Sequence, residues 1–144
     1  MTGAVAIRRM PILALGAISL LAGLSGGLAR LGFTPVDMDF ALNHGALMTG
    51  GFLGTVIALE RAVALKRPWG YAAPVLSGVG AIMLAAGLAP DSAVASLVAA
   101  SGILLATSIR FTQLQPALFT VTMAIGALCW LLGNLVLLLG GVPT

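Results

Sequence analysis

Residues 41–59 read ALNHGALMTGGFLGTVIAL, nineteen positions without a charged side chain and with a single histidine, His44, near the start. An α-helix needs about 20 apolar residues to cross the hydrocarbon core of a bilayer, so this stretch reads as a membrane-spanning helix. The same reading extends outward. Residues 10–29, 69–90, 92–109 and 114–144 are also free of charge. Together these runs predict an all-α fold, a polytopic integral membrane bundle of about five transmembrane helices, with spans at about 10–30, 41–61, 69–89, 92–109 and 116–140.

Composition agrees. Of 144 residues, 60% are hydrophobic and 8% charged, whereas soluble domains carry about 25% charged residues. A chain this short has no aqueous core large enough to hide that much apolar surface. The whole chain, 1–144, reads as one transmembrane domain whose first partner is the lipid bilayer. The formal charge of +3 comes from scattered basic residues rather than a patch, which argues against nucleic acid. The single cysteine, Cys129, rules out an intramolecular disulfide. Arg8 and Arg9 ahead of an apolar run also fit a signal peptide. That run is longer than a usual signal core and no small-x-small cleavage site follows it, so the segment is expected to remain as the first span.

Loop charges orient the bundle, because cytoplasmic loops are enriched in Lys and Arg. With the N-terminus inside, Arg8, Arg9, Arg61, Lys66, Arg67 and Arg110 all fall on the cytoplasmic side, and only Arg30 does not. The loop 31–40, with Asp37 and Asp39, is then external, giving an N-in, C-out topology. Asp91 and Ser92 are the expected N-cap of the fourth span. The final run is too long for one untilted crossing and too short for two, and reads as one tilted helix from Pro116 to near Gly140.

Glycine carries the packing information, since membrane helices associate through close backbone approach at small residues. Ala46, Gly50, Gly54 and Ala58 repeat every four residues on one face of the second span. This predicts a central helix with a contact face, either within the chain or across a homo-oligomer.

The neighbouring face carries the candidate chemistry. At about 100° per residue, His44, Met48, Gly51, Thr55 and Ala62 fall within about 40° of one line. A histidine inside an apolar span is costly unless it has a partner or faces a cavity, and imidazole is the commonest side-chain metal ligand. On the ligand reading His44 binds a metal or haem iron, Met48 offers a soft thioether and Gly51 leaves room for a flat cofactor. On the plainer reading His44 hydrogen-bonds across helices or sits at headgroup level.

Other polar groups lie at similar depth. Arg30, against the charge trend, calls for a specific partner, either Asp37 or Asp39 or an anionic ligand group such as a haem propionate. Asn134, inside the fifth run, needs an interhelical partner or a ligand. Glu60 stands about 160° around the helix and about 24 Å from His44, so the two cannot share a compact site. An interfacial ion pair with Arg61, Arg67 or Arg110 is the simplest expectation for it. One His and one Cys cannot form a Cys/His zinc site, and no catalytic constellation is visible. Trp69 and Tyr71 follow the basic turn as interfacial anchors.

Residues 43–69, NHGALMTGGFLGTVIALERAVALKRPW, resemble a block in bacterial and archaeal multispan membrane proteins that are in turn distantly similar to the NnrS family, which contains haem and copper. The resemblance rests on the His-Gly start and the Leu-Glu-Arg end. It implies a haem- or metal-binding helix with His44 as ligand, in a bacterial or archaeal cytoplasmic membrane. The expectation is therefore a haem-like or metal cofactor near the outer leaflet, bound by His44, Met48, Gly51, Arg30 and Asn134, for gas sensing or handling or for electron transfer. A solute path lined by Asn43, His44, Thr55 and Asn134 is the alternative, and a non-catalytic assembly subunit is a third.

Overall fold

The computed structural model describes residues 9–33 and 38–140, the side chains at 38 and 39 excepted. Among these residues, five helices are long and apolar enough to cross a membrane. They are α1 (Met10–Arg30), α2 (Met38–Ala46, Leu47–Gly54 and Thr55–Leu65 in succession), α3 (a 3₁₀ turn Pro68–Tyr71 continued by Ala72–Ala85), α4 (Pro90–Leu114) and α5 (Leu118–Gly140). The protein is an all-α, multi-pass integral membrane protein. The loop containing Asp37, the side chain of Asp39, and residues 141–144 lie outside the described residues.

The helix ends follow local chemistry. After α1, Gly32 takes φ 76°; its N–H bonds Ala29 O at 3.0 Å and that of Phe33 bonds Leu28 O at 3.1 Å. This is the Schellman pattern, in which a left-handed glycine lets the chain reverse and satisfy the last carbonyls. The pattern recurs after α3, where Gly87 (φ 64°) bonds Leu84 O and Leu88 bonds Met83 O. The third span therefore stops at Ala85, short of the expected 89. The expected Asp91–Ser92 cap is corrected too. Ala89 occupies the N-cap with Pro90 just inside the helix, and Asp91 sits in the first turn, where its charge complements the helix dipole. Both α2 and α4 run past the charged residues expected to end them. Glu60, Arg61 and Arg110 fall in final turns at the bundle's end, where long side chains can reach water.

A π-helix interrupts α2 at Leu47–Gly54, which sequence periodicity did not reveal. Its i→i+5 bonds make a wider turn, and the segment LMTGGFLG lies where all the other helices press on α2. A Cβ on Gly51 would meet Ser19 and Ala81, one on Gly50 would meet Leu97, and one on Gly54 would meet Ser77 and Trp130. Ser77 donates to the Gly50 carbonyl at 2.6 Å, supplying a partner to backbone in the distorted segment. Thr55, the next residue, shows the cost. Most intramembrane hydroxyls here bond the carbonyl four residues back, as Ser19, Thr49, Ser101 and Thr107 do. Thr55 Oγ1 is buried without a partner.

Packing is layered around α2. One face meets α1; the small stripe, on the neighbouring face, meets the other helices. Ala46 lies against the cluster of Leu84, Ala93, Val94 and Leu97, and Ala58 joins Ala73, Leu104 and Ala127. The stripe is thus covered by α3, α4 and α5 of the same chain. Helix α5 is peripheral, with 11% of its span buried against 44% for α2, α3 and α4.

Candidate functional site

The α1–α2 seam is an antiparallel ladder of small residues and the groups that fill the space above them. A Cβ on Gly16 would lie 3.5 Å from Thr55 Cγ2, one on Gly23 2.7 Å from Met48 Sδ, and one on Gly27 3.0 Å from His44 Cε1. Ser19 lies against Gly51 between these rungs. The spacing of Gly16, Ser19, Gly23 and Gly27 follows one face of α1, and that of Thr55, Gly51, Met48 and His44 follows the facing side of α2. Gly26 brings α1 directly against the backbone of Phe40. Glycine is required here because the helix axes approach more closely than side chains allow.

His44 is fixed at the outer rung of this ladder. Its Nδ1 lies 2.7 Å from the carbonyl oxygen of Gly23. A carbonyl can only accept, so Nδ1 carries a hydrogen, and a neutral ring with this bond has its lone pair on Nε2. The ring stacks its Cε1 edge on Gly27, and the side chain is part-buried. Such an Nδ1–H bond to a backbone carbonyl is also how protein histidines are oriented when Nε2 binds a metal.

Arg30 stands on the same seam. Its Nε donates to Ala41 O at 2.6 Å and its Nη2 to Leu42 O at 3.5 Å. The expected partners, Asp37 and Asp39, lie outside the described side chains, and the structure adds a partner the sequence did not suggest: the backbone of the first turns of α2. The guanidinium ties the end of α1 to the start of α2, three residues before His44.

The remaining candidates are placed differently. The space beside Gly51 is taken by Ser19 and Ala81. Asn134 lies in another seam, where its Nδ2 donates to Leu97 O and Ser101 Oγ, both at 3.2 Å; it joins α5 to α4. The structure therefore brings Arg30, His44, Met48 and Gly51 to one seam and leaves Asn134 in the other. Glu60 is exposed and forms no ion pair among the described residues, while Arg61 lies 5.6 Å from the Phe111 ring centroid. Among the described residues, no three His, Cys, Asp or Glu side chains gather to hold a metal ion.

Sequence reasoning missed two features near this seam. Gly23, His44's partner, contributes only a backbone atom, and a glycine carries no side-chain signal of that role. Trp130 reaches across to Gly54 and leaves its indole N–H buried without a partner. It lines an apolar groove of about 370 Å³ between α2, α4 and α5.

No curated protein and no solved structure matches this chain. A family model described as a domain of unknown function, DUF8744, matches residues 9–144, a range that includes all five helices. On that match the chain belongs to the DUF8744 family.

Proposed function

We propose that this membrane protein holds a haem-like cofactor at the Arg30–His44 end of the bundle, with His44 Nε2 as its protein ligand, for gas sensing or handling or for electron transfer. The carrying observation is the His44 Nδ1–Gly23 O bond, which fixes the ring and commits Nε2 to the acceptor role. The donor set favours a cofactor over a bare ion. One imidazole is too few ligands for a protein-only metal site, whereas a porphyrin brings its own four nitrogens and needs one more. The likeness of residues 43–69 to a block in bacterial and archaeal multispan membrane proteins, themselves distantly similar to a haem- and copper-containing family, supports the same reading and a bacterial or archaeal cytoplasmic membrane.

The seam restricts how such a group is held. His44 and Met48 lie one turn apart on the same side of α2, both packed on α1 glycines. A flat macrocycle with one residue on each face would have to pass through the α2 backbone between them. His44 would therefore be the one residue of this chain to ligate the group, with Met48 packing beside it. Haem iron held by one imidazole binds diatomic gases at its open position or passes electrons. Arg30 has guanidinium hydrogens beyond its two backbone contacts, which could meet a propionate. A homo-oligomer through Ala46, Gly50, Gly54 and Ala58 would have to displace α3, α4 or α5, so self-association is better sought on exposed faces.

Absorption titration of haem into purified protein tests this reading. A saturable Soret shift in the native chain, absent in His44→Ala but with Met48→Ala retaining ligation, is expected. Native-like haem binding by His44→Ala would end the cofactor hypothesis. That result would promote a second reading, which the packing of His44 and Met48 on α1 favours: an assembly subunit in which His44 only ties two helices together.

A further inference from the structure

At the bundle end opposite His44, a groove of about 680 Å³ opens where the α2–α3 turn meets the last turns of α4. Arg67, Arg110, Gln113 and Trp69 supply its polar rim. Ile109 and Gln113 also line a second groove, about 440 Å³, which is almost wholly apolar and runs between α4 and α5 past Leu105, Ile125 and Leu128. The two grooves are thus neighbours on α4, with Ile109 and Gln113 on the rim between them. From Gln113 to Leu105 is eight residues along α4, or about 12 Å.

We propose that these two neighbouring grooves form a binding site for an anionic phospholipid, with the phosphate between Arg67 and Arg110 and an acyl chain laid over Ile109 into the α4–α5 trough. Charge complementarity carries the assignment. Two guanidinium groups line the basic groove and no carboxylate does; Lys66 is adjacent in the turn, and Asp91 begins the opposite end of α4. The Arg67 side chain has no hydrogen-bond or ion-pair partner among the described residues, and that of Arg110 makes only a 3.4 Å contact with Gln113. The C-terminal carbonyls of α4 oppose an anion with about half a charge. Two full positive charges outweigh them, and the N-terminal end of α3 beside Trp69 adds to the positive side.

The occupant is a lipid rather than a soluble anion because an apolar groove lies beside the basic one, just across Ile109 and Gln113. Inorganic phosphate would use the rim and leave the trough unfilled. A zwitterionic lipid would fill the trough, but its own ammonium would offset the attraction of the rim. Basic clusters at the cytoplasmic ends of membrane helices recognise anionic headgroups in this way, each Lys or Arg contributing about 1 kcal/mol, or about fivefold in affinity. Trp69, about half exposed, stands at headgroup level, where its ring reports on the lipid beside it.

Brominated lipids test the proposal through quenching of Trp69 fluorescence, in full-length protein carrying Trp130→Phe and reconstituted into bilayers. Brominated phosphatidylglycerol mixed with phosphatidylcholine should quench more strongly than brominated phosphatidylcholine at the same mole fraction. Arg67→Gln and Arg110→Gln should each lower the relative affinity about fivefold, and together roughly thirtyfold. Both variants should retain the native thermal unfolding profile, since neither side chain is part of the helix packing. Equal quenching by the two lipids would overturn the site, as would an unchanged preference in the folded double variant. Relief of quenching by millimolar inorganic phosphate would overturn the lipid assignment in favour of a soluble anion.

Discussion

His44 Nδ1 and the carbonyl oxygen of Gly23 lie 2.7 Å apart across the α1–α2 seam, so the only imidazole in the chain is tied to a backbone atom of the neighbouring helix. This single bond is compatible with both a ligating and a tying histidine, because it uses one ring nitrogen and leaves the other. Stability measurements separate the two contributions. Removing a hydrogen bond of this kind costs about 1 kcal/mol, and Gly23 O keeps its place in the α1 backbone. His44→Ala should therefore lower stability by about 1–2 kcal/mol in a reversible detergent-unfolding titration and leave an inserted, helical protein. A collapse to unfolded protein would mean that His44 is chiefly structural.

Three of the four α1 glycines should respond differently to the same added methyl group. Gly26→Ala drives a Cβ into the backbone of Phe40, which cannot yield without separating the helices. A loss of about 2–3 kcal/mol is expected. Gly23→Ala meets the end of the flexible Met48 side chain, which can turn aside, and should cost less than about 1 kcal/mol. Gly27→Ala presses on His44 and should weaken haem binding more than it weakens the fold. The reverse order of stability, with Gly23→Ala worst, would show that the seam is not packed as described.

Thr55→Val should stabilise the protein. The hydroxyl is buried without a partner, and the isosteric valine removes that desolvation cost at nearly constant shape. A gain of about 1 kcal/mol is expected, measured beside Thr107→Val. Thr107 bonds Ile103 O, so its replacement should bring no such gain. Destabilisation by Thr55→Val would imply that the hydroxyl has a partner such as an ordered water.

Gly50→Leu and Gly54→Leu should disrupt the folded monomer before they affect any oligomer, because Leu97, Ser77 and Trp130 already fill the space beside them. Ser77→Ala, which deletes the bond to Gly50 O, should cost about 1 kcal/mol. Unfolding coupled to sedimentation analysis decides the matter. A monomeric, fully stable Gly54→Leu would contradict the intrachain packing.

The loop charges predict an N-in, C-out topology, which cysteine labelling in a Cys129→Ala background tests. Single cysteines at positions 37 and 144 should react with an impermeant reagent in intact cells, and one at position 66 only after lysis. The opposite pattern would invert the bundle and move the His44 end to the cytoplasm.

The number and class of helices were legible in the sequence because burial in lipid is an averaged property: uncharged runs long enough to cross hydrocarbon must be helical, as no water is there to satisfy an exposed backbone. The alignment of His44, Met48, Gly51 and Thr55 was legible for a related reason, since helical periodicity fixes which residues share a face, whereas Ala62, expected on the same line, packs against Gly70 of the α2–α3 turn. The helix ends were only partly so. The Schellman turns at Gly32 and Gly87 depend on backbone angles, and Glu60 and Arg61 did not stop α2 because charged side chains near an interface can reach water while the helix continues. Tertiary structure alone decided what each face meets. The π-helix at Leu47–Gly54 exists where Ser19, Ser77, Ala81, Leu97 and Trp130 converge on three glycines, a coincidence of four other helices that no local pattern encodes. The same is true of the Gly23 carbonyl, the Arg30 contacts with Ala41 and Leu42, and the separation of Asn134 from His44. Each joins residues that are neighbours only after α1, α4 and α5 have chosen their sides of α2.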